Sequence, residues 1–430
     1  MTQVSTVTFD GSTAIAEPVR FWTRQRKVGA GFLIAGVIAA VLFGALATDM
    51  QVRITLAETT AGSAVGVPGT VGAILFGLIA AGAGSALLAP IRRSWFAWLV
   101  GVGIVAIVLS FLCWQISQSS TGLNVMPLGN VANSTVRLAL PLILGSLAGV
   151  LCERSGVINV AIEGQFLMGA FAAALVATLA ASVWAGIVAA AVGGLFIAAI
   201  LAVFAIKYLV DQVVLGIVLN VFALGLTGFL YEQIMARNQS TYNQPSRVPS
   251  WNIPLLEDIP LLGPALFKAN VFVFGALAAV VLVHVGLTRT RWGLRTRAVG
   301  EHPTAADTVG VSVLGLRYRN VLIGGLLAGF GGAYFTLLST TNFNKGMTSG
   351  AGFIALAALI FGRWSPIGAL LAALFFGFTS ALAFYLGAIG SPIPSQFLNM
   401  LPYLATIIAV AGLVGRVRAP AADGKPYVKG

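Results

Sequence analysis

Charge is scarce in this sequence. Asp, Glu, Lys and Arg supply only 9% of its 430 residues, against roughly 25% in a soluble domain. A water-facing surface of normal extent cannot be built from so few ionic groups, so the solvent for most of the chain must be lipid. Histidine occurs twice and cysteine twice. Cys113 and Cys152 lie in or beside apolar runs with no metal-type spacing, and read as small buried hydrophobes. The only Gly-Lys pair, Gly424-Lys425, has neither the upstream glycine nor the following hydroxyl of a phosphate loop, and no H-E-x-x-H occurs. The chain therefore shows no catalytic constellation and no means of hydrolysing ATP, and is expected to bind no cofactor or metal itself.

What it has instead is hydrocarbon: 58% of positions are hydrophobic. Apolar runs near 28–48, 70–90, 94–117, 131–151, 162–181, 183–206, 213–233, 267–287, 319–340, 350–362, 366–388 and 398–415 are candidate spans, most of them reaching the roughly 20 residues a bilayer requires. The run at 350–362 is too short to cross alone, and polar residues interrupt 131–181. The expectation is an all-α polytopic transmembrane bundle of ten to twelve spans, some broken or short. The first run follows 27 mostly polar residues and is long for a signal-peptide core, so it is read as a span although "ALA" at 45–47 resembles a cleavage site.

The formal net charge of +12 raises a nucleic-acid reading, but the basic residues cluster in short gaps between apolar runs. Arg20, Arg24, Arg26 and Lys27 precede the first run, and Arg92 and Arg93 follow the second. Arg154 and Lys207 occupy later gaps of the same parity; Arg289, Arg291, Arg295, Arg297, Arg317 and Arg319 crowd 288–320; Arg416 and Arg418 follow the last run. Twelve crossings with both termini in the cytoplasm satisfy the positive-inside rule. The predicted parts are a cytoplasmic tail 1–27, amino-terminal spans 28–120, a core 130–418 with a cytoplasmic loop 288–319, and a cytoplasmic tail 419–430. The opposite loop at 234–266, rich in Pro, Asn and Ser, either docks something outside or is a plain connector.

Within "SGVINVAIEGQFLMGAF" (155–171), Asn159, Glu163 and Gln165 sit among apolar neighbours. A carboxylate in a membrane needs a partner, water or a purpose. On a continuous helix Asn159 and Glu163 share a face and Gln165 does not. Two readings stand. In one, Ser155–Gly164 is a helix break lining a water-filled solute pathway. In the other, Glu163 pairs with Arg154 or Arg137, or caps a neighbouring helix, and fixes geometry. Asn220, within the 213–233 run, divides the same way. His284 reads as a hydrogen-bonded interhelical donor more readily than as a proton relay. Asn342, Asn344 and Lys345 are candidates for the external mouth. Gly325 and Gly329 permit close helix packing.

In the 288–320 insert, Pro303 suits a helix first turn and Gly310 the position past its end. A helix of about seven residues is not stable alone in water and must lie on lipid, on the bundle or on a partner. Ala305, Ala306 and Val309 offer it a small apolar face, and the surrounding arginines favour an acidic partner or anionic lipid.

The segment "AVGEHPTAADTVGV" (298–311) resembles the cytoplasmic coupling segment of ABC-importer permeases of the branched-chain amino acid, simple-sugar and nucleoside group. "TAADTVG" follows the importer EAA-loop pattern with Thr304 where Glu is usual and Gly310 at the expected spacing, but lacks the later Ile-x-Leu-Pro. "CERSGVINVAIEGQFLMGAF", "DQVVLGIVLNVFALGLTGFL", "GFIALAALIFGRWSPIGALLAALFFG" and "LPYLATIIAVAGLVGR" are similar to ordered blocks of the purine-nucleoside-type permeases. The match runs from about 130 to 418, and the first 120 residues look like an addition. The resemblance implies a bacterial inner-membrane importer subunit for nucleosides or related simple sugars. A separate ATPase would grip Arg295, Arg297, Gly300, Glu301, His302, Pro303, Ala305, Ala306 and Gly310 and burn the ATP. It further implies a second permease, related or identical, and an external binding protein. The rival from another class is an ion-coupled secondary transporter using Glu163, Asp211 or His284 for proton coupling.

Overall fold

The computed structural model describes residues 7–9, 12–14, 22–56, 64–122, 124–254, 256–257, 259, 263–401, 403–404 and 418–429. Most of the expected amino-terminal tail, Arg416, and the candidate span at 398–415 beyond residue 404 lie outside these. Among the described residues, ten helices are long and apolar enough to cross a bilayer. The chain is a multi-pass membrane protein.

Contacts divide it into two compact units. The first is built on α1 (Arg24–Ile38, prolonged by a π-helical turn Ala39–Phe43), α2 (Gly69–Leu88) and α3 (Arg93–Ser117). It also holds a small sheet in which Gln51–Thr55 lies between antiparallel Ala64–Pro68 and parallel Val125–Pro127.

The second unit holds α4 (Leu128–Glu153), α5 (Ile162–Leu179), α6 (Val183–Ala202), α7 (Gln212–Leu230), α8 (Val271–Arg289), α9 (Arg291–Glu301), α10 (Pro303–Thr308), α11 (Val313–Tyr334), α12 (Ala351–Phe361) and most of α13 (Pro366–Ala388). Its largest core gathers Leu144, Phe166, Phe272, Leu359 and Phe376. Lipid tails are as apolar as leucine, so these helices associate by close packing rather than by escape from water. The "GGLLAGFGG" run of α11 allows a close approach: a Cβ on Gly329 would stand 2.2 Å from the Ala190 carbonyl of α6, and one on Gly325 would stand 2.3 Å from the Ala198 Cβ.

Three short irregularities shape the unit. Between α4 and α5 the helix stops, and residues 154–161 are non-helical. Asn159 therefore does not share a helix face with Glu163, because the helix begins only at Ile162. The 350–362 run forms the half-length α12. Gly145 packs against Ala355, Gly149 against Leu359, and Glu153 meets Trp364, so α12 runs in the same direction as α4. Entered by the irregular chain 340–350, it completes a crossing it could not make as a helix alone. The 288–320 insert is two helices, α9 and α10, separated by His302.

Replacing Gly329 with Leu must push α6 from α11, and overpacking of this kind costs roughly 1–3 kcal/mol or more. The thermal-unfolding midpoint in detergent is expected to fall clearly below wild type; an unchanged midpoint would contradict the packing described.

Candidate functional site

The break after α4 joins two polar sites, one among the apolar helices and one at the arginine-rich end. At the first, Asn159 and Gln165 are fully buried and bond each other twice, at 3.2 and 3.3 Å. Asn220 of α7 accepts from the Gly164 amide at 2.8 Å and donates to the Val160 carbonyl at 3.0 Å. Gln212 accepts from the Ile158 amide at 2.7 Å. Non-helical backbone at this depth has no water to satisfy it, and these amide side chains take over the bonds the helix would have made.

Glu163 reaches across to the start of α12. Its Oε1 accepts from the Thr348 hydroxyl at 2.6 Å and the Gly350 amide at 2.8 Å, and its Oε2 from the Gly352 amide at 2.6 Å. Gly350 takes φ +83°, a left-handed conformation that favours glycine, immediately before the first helical residue. The carboxylate faces the positive end of the α12 dipole and fills orphan donors there. Of the readings drawn from sequence, capping of a neighbouring helix describes this geometry; neither Arg154 nor Arg137 bonds Glu163. Asp211 is likewise an N-cap, accepting from the Val213 and Val214 amides at 3.0 and 2.9 Å. His284 departs from expectation, since its buried Nδ1 has no hydrogen-bond partner.

At the arginine-rich end, α9 is mounted by its inner face. Gly293, Thr296, Val299 and Gly300 are buried. Asn320 of α11 accepts from the Trp292 indole at 3.0 Å and donates to Thr296 at 3.1 Å. A Cβ on Gly300 would stand 2.2 Å from the Arg154 carbonyl, so only glycine lets α9 rest directly on the break. Arg154 in turn donates through Nε to the Trp364 carbonyl at 2.8 Å. Burial holds the Arg154 guanidinium below its ordinary pKa, with Glu301 opposing the shift and Arg297 adding to it. Arg317 is 2% exposed and donates to the Ser155 carbonyl at 3.1 Å. Glu153, 3% exposed, accepts from the Trp364 indole at 2.5 Å.

The residues singled out in 295–310 divide by exposure. Arg295, Arg297, Glu301, His302, Ala305 and Gly310 are exposed, and Pro303 is half-buried. Gly300 and Ala306 face inward, so Ala306 does not share an outer apolar face with Ala305 and Val309; it packs against Val299, Val313 and Tyr427. The outer surface is completed by Leu294 and Val309, 62% and 78% exposed. Elsewhere, Lys345 pairs with Glu232, and Asn342 joins Gln239, Asn243, Gln244, Arg247 and Thr341 around a polar hollow on the opposite side of the helices.

Sequence reasoning missed Glu153, Arg317, Thr348 and Trp364. Arg317 was counted among loop charges, although a guanidinium one turn inside an apolar helix signals a buried partner. The small polar run Thr348–Gly352 before a helix too short to cross was the available sign of a capped helix start.

Replacing Glu163 with Ala leaves a hydroxyl and two amides unpartnered, at about 1–3 kcal/mol each, whereas Gln preserves an acceptor. The unfolding midpoint is expected to fall much further for Glu163→Ala than for Glu163→Gln. Equal stability of wild type and Glu163→Ala would contradict the capping role.

Comparison with known proteins gives consistent matches. A family described as the permease component of branched-chain amino acid transport systems matches residues 131–411. The guanosine ABC transporter permease protein NupQ of Bacillus subtilis (strain 168) is 42% identical over 311 residues, 70% of this chain and 97% of that protein. The nucleoside ABC transporter permease protein NupC of Lactococcus lactis subsp. cremoris (strain MG1363) is 39% identical over 308 residues, 70% of this chain and 96% of that protein. A putative glucose ABC transporter permease protein, TsgC13 of Haloferax volcanii, is 33% identical over 67% of this chain and 92% of its own length. No solved structure matches the chain.

Proposed function

The chain belongs to the permease-component family of branched-chain amino acid transport systems, and we propose that it is the membrane-spanning subunit of an ABC importer that takes up nucleosides. The observation that carries the solute class is the pair of relatives at 42% and 39% identity, both described as nucleoside or guanosine permeases and both matched over nearly their whole length.

The arginine-rich end is placed in the cytoplasm by the positive-inside rule, with both termini on that side of a bacterial inner membrane. A separate ATPase docks on α9 and α10, meeting Arg295, Arg297, Glu301 and His302 around the exposed Leu294 and Val309. When it closes on ATP, α9 moves, and with it the Gly300–Arg154 contact and the break. The break carries α5, and Glu163 on α5 carries the start of α12. A push at one end is thus converted into a tilt of helices around the centre, alternating outward- and inward-open cavities. The broken segment borders the solute route: Asn159, Gln165, Asn220 and Glu163 hold the backbone that lines it, and the solute meets weak polar contacts. A second permease, related or identical, completes the pathway. An external binding protein delivers the solute and carries most of the selectivity. The polar hollow around Arg247 and Asn342 is the surface offered to that protein.

Ion coupling is the poorer reading. The two carboxylates singled out for it in the sequence, Glu163 and Asp211, are committed to helix caps, and the relatives are ABC permeases.

Gentle solubilisation of tagged wild-type chain is expected to recover an ABC ATPase. The Arg295→Glu/Arg297→Glu pair should lower recovery at least about tenfold, the effect of ~1.4 kcal/mol lost at an interface. Equal recovery would move the docking surface elsewhere. A strain lacking the chain should lose uptake of at least one labelled nucleoside; unchanged uptake across a nucleoside panel would remove that solute class.

A further inference from the structure

The tail at 418–429 carries no apolar run, yet it is seated on every part of the coupling region. Its turn is closed by Asp423 and Lys425 amides bonding the Pro420 and Ala422 carbonyls at 3.0 and 3.2 Å. The Ala422 amide donates to the Gly300 carbonyl at 2.8 Å, and the Ala421 amide to Glu301 Oε2 at 3.3 Å. Those two contacts hold the last turn of α9, where a carbonyl has no helical partner. Tyr427 is 7% exposed, packs on Val299, Ala306 and Val313, and lies close to Asp307 of α10.

The same stretch also grips the membrane-side joint. Buried Arg317 donates from Nε to Ser155 and from Nη1 to the Lys425 carbonyl at 3.0 Å, bridging break and tail. The Asp423 carboxyl lies against buried Glu153, so two like charges meet there unless one of them is protonated. Gly424 takes φ +72°, and a Cβ there would stand 2.7 Å from Ile158 Cδ1. A β-branched side chain at that position would be strained in this left-handed conformation and would disturb the turn.

We propose that residues 418–429 form a strap that clamps α9 and α10 to the α4–α5 break, so that movement imposed on the coupling helices reaches the membrane helices. Asp423, Gly424 and Tyr427 are its positioning residues. The strap rests on the importer reading, because it matters only if force enters through α9 and α10. Its carboxyl pair also makes it sensitive to acid. Burial pushes the Asp423 carboxyl up to about 7, against the pull of Glu153, the Gly424 amide and Arg317. The titratable and charged groups facing it are Glu153 and Cys152 from α4 and Arg317 from α11. An acid whose pKa is higher when docked binds more protons docked than free. Docking is therefore fully favoured below the ordinary carboxylate range and weakens as pH rises toward and through 7.

The test uses the complete transporter, with its ATPase and binding protein, in proteoliposomes, and measures nucleoside imported per ATP hydrolysed. Removal of residues 419–430 is expected to leave ATP hydrolysis running in the assembled complex while import per ATP falls at least about fivefold, the low end of coupling effects. Gly424→Val, which displaces the turn without removing it, should give the same fall and decides the matter if the truncated chain does not assemble. Asp423→Asn removes the like charge facing Glu153 without changing the size of the side chain, and should keep the wild-type ratio. In wild type, hydrogen exchange of the tail amides, corrected for intrinsic rate, should be slower near about pH 6 than near about pH 8; in Asp423→Asn that difference should vanish. Wild-type import per ATP in both the truncation and Gly424→Val would overturn the strap and leave the importer standing. A wild-type complex that hydrolyses ATP yet imports no nucleoside would strike the underlying reading instead.

Discussion

A fully buried arginine governs how this protein can move. Arg317 holds the carbonyl of Ser155 from within an apolar helix, at the one place where the backbone between α4 and α5 has left its own hydrogen-bond ladder. A guanidinium so enclosed is expensive to displace, because its charge and donors have no water to retreat to. The broken segment is thus tied to α11 through Arg317. Directly beside that joint, the backbone of Gly300 rests on the carbonyl of Arg154. Force applied to α9 thus arrives at a stiff point.

From there the polar residues act as mechanical links. Asn159 with Gln165, and Asn220 with Gly164 and Val160, keep the non-helical stretch in one conformation. Glu163 ties the first turn of α5 to the first turn of α12 by three donors. Glycine contacts between α11 and α6 provide close-packed surfaces on which helices can shift with little change in volume. The scarcity of ionic groups follows from this division of labour. Glu163 is bound to a helix start and Arg317 to backbone carbonyls, so neither stands free as a proton relay.

Much of this was legible in the residues themselves. Apolar runs of about 20 residues located the long helices, because that length follows from the bilayer's dimensions. Pro303 and Gly310 marked α10 at its true ends, since each signals a fixed backbone conformation. The break was signalled by polar residues in an apolar stretch. What could not be read was pairing across the fold. Glu163 and Gly350 are 187 residues apart, and nothing local says that a carboxylate on one helix caps another. The inward turn of Ala306 and the burial of Arg317 depend on which neighbours arrive, as does the seating of the polar tail, whose composition reads as a solvated end.

The central claim is that this chain is a gate moved from outside itself, and accumulation in proteoliposomes tests it most directly. Reconstituted alone, with an ion gradient of either sign and a labelled nucleoside outside, it should let no nucleoside build up above the external concentration. Supplied with its ATPase, second permease, binding protein and ATP, the same chain should concentrate the nucleoside. Concentrative uptake by the chain alone, driven by an ion gradient, would contradict the mechanism.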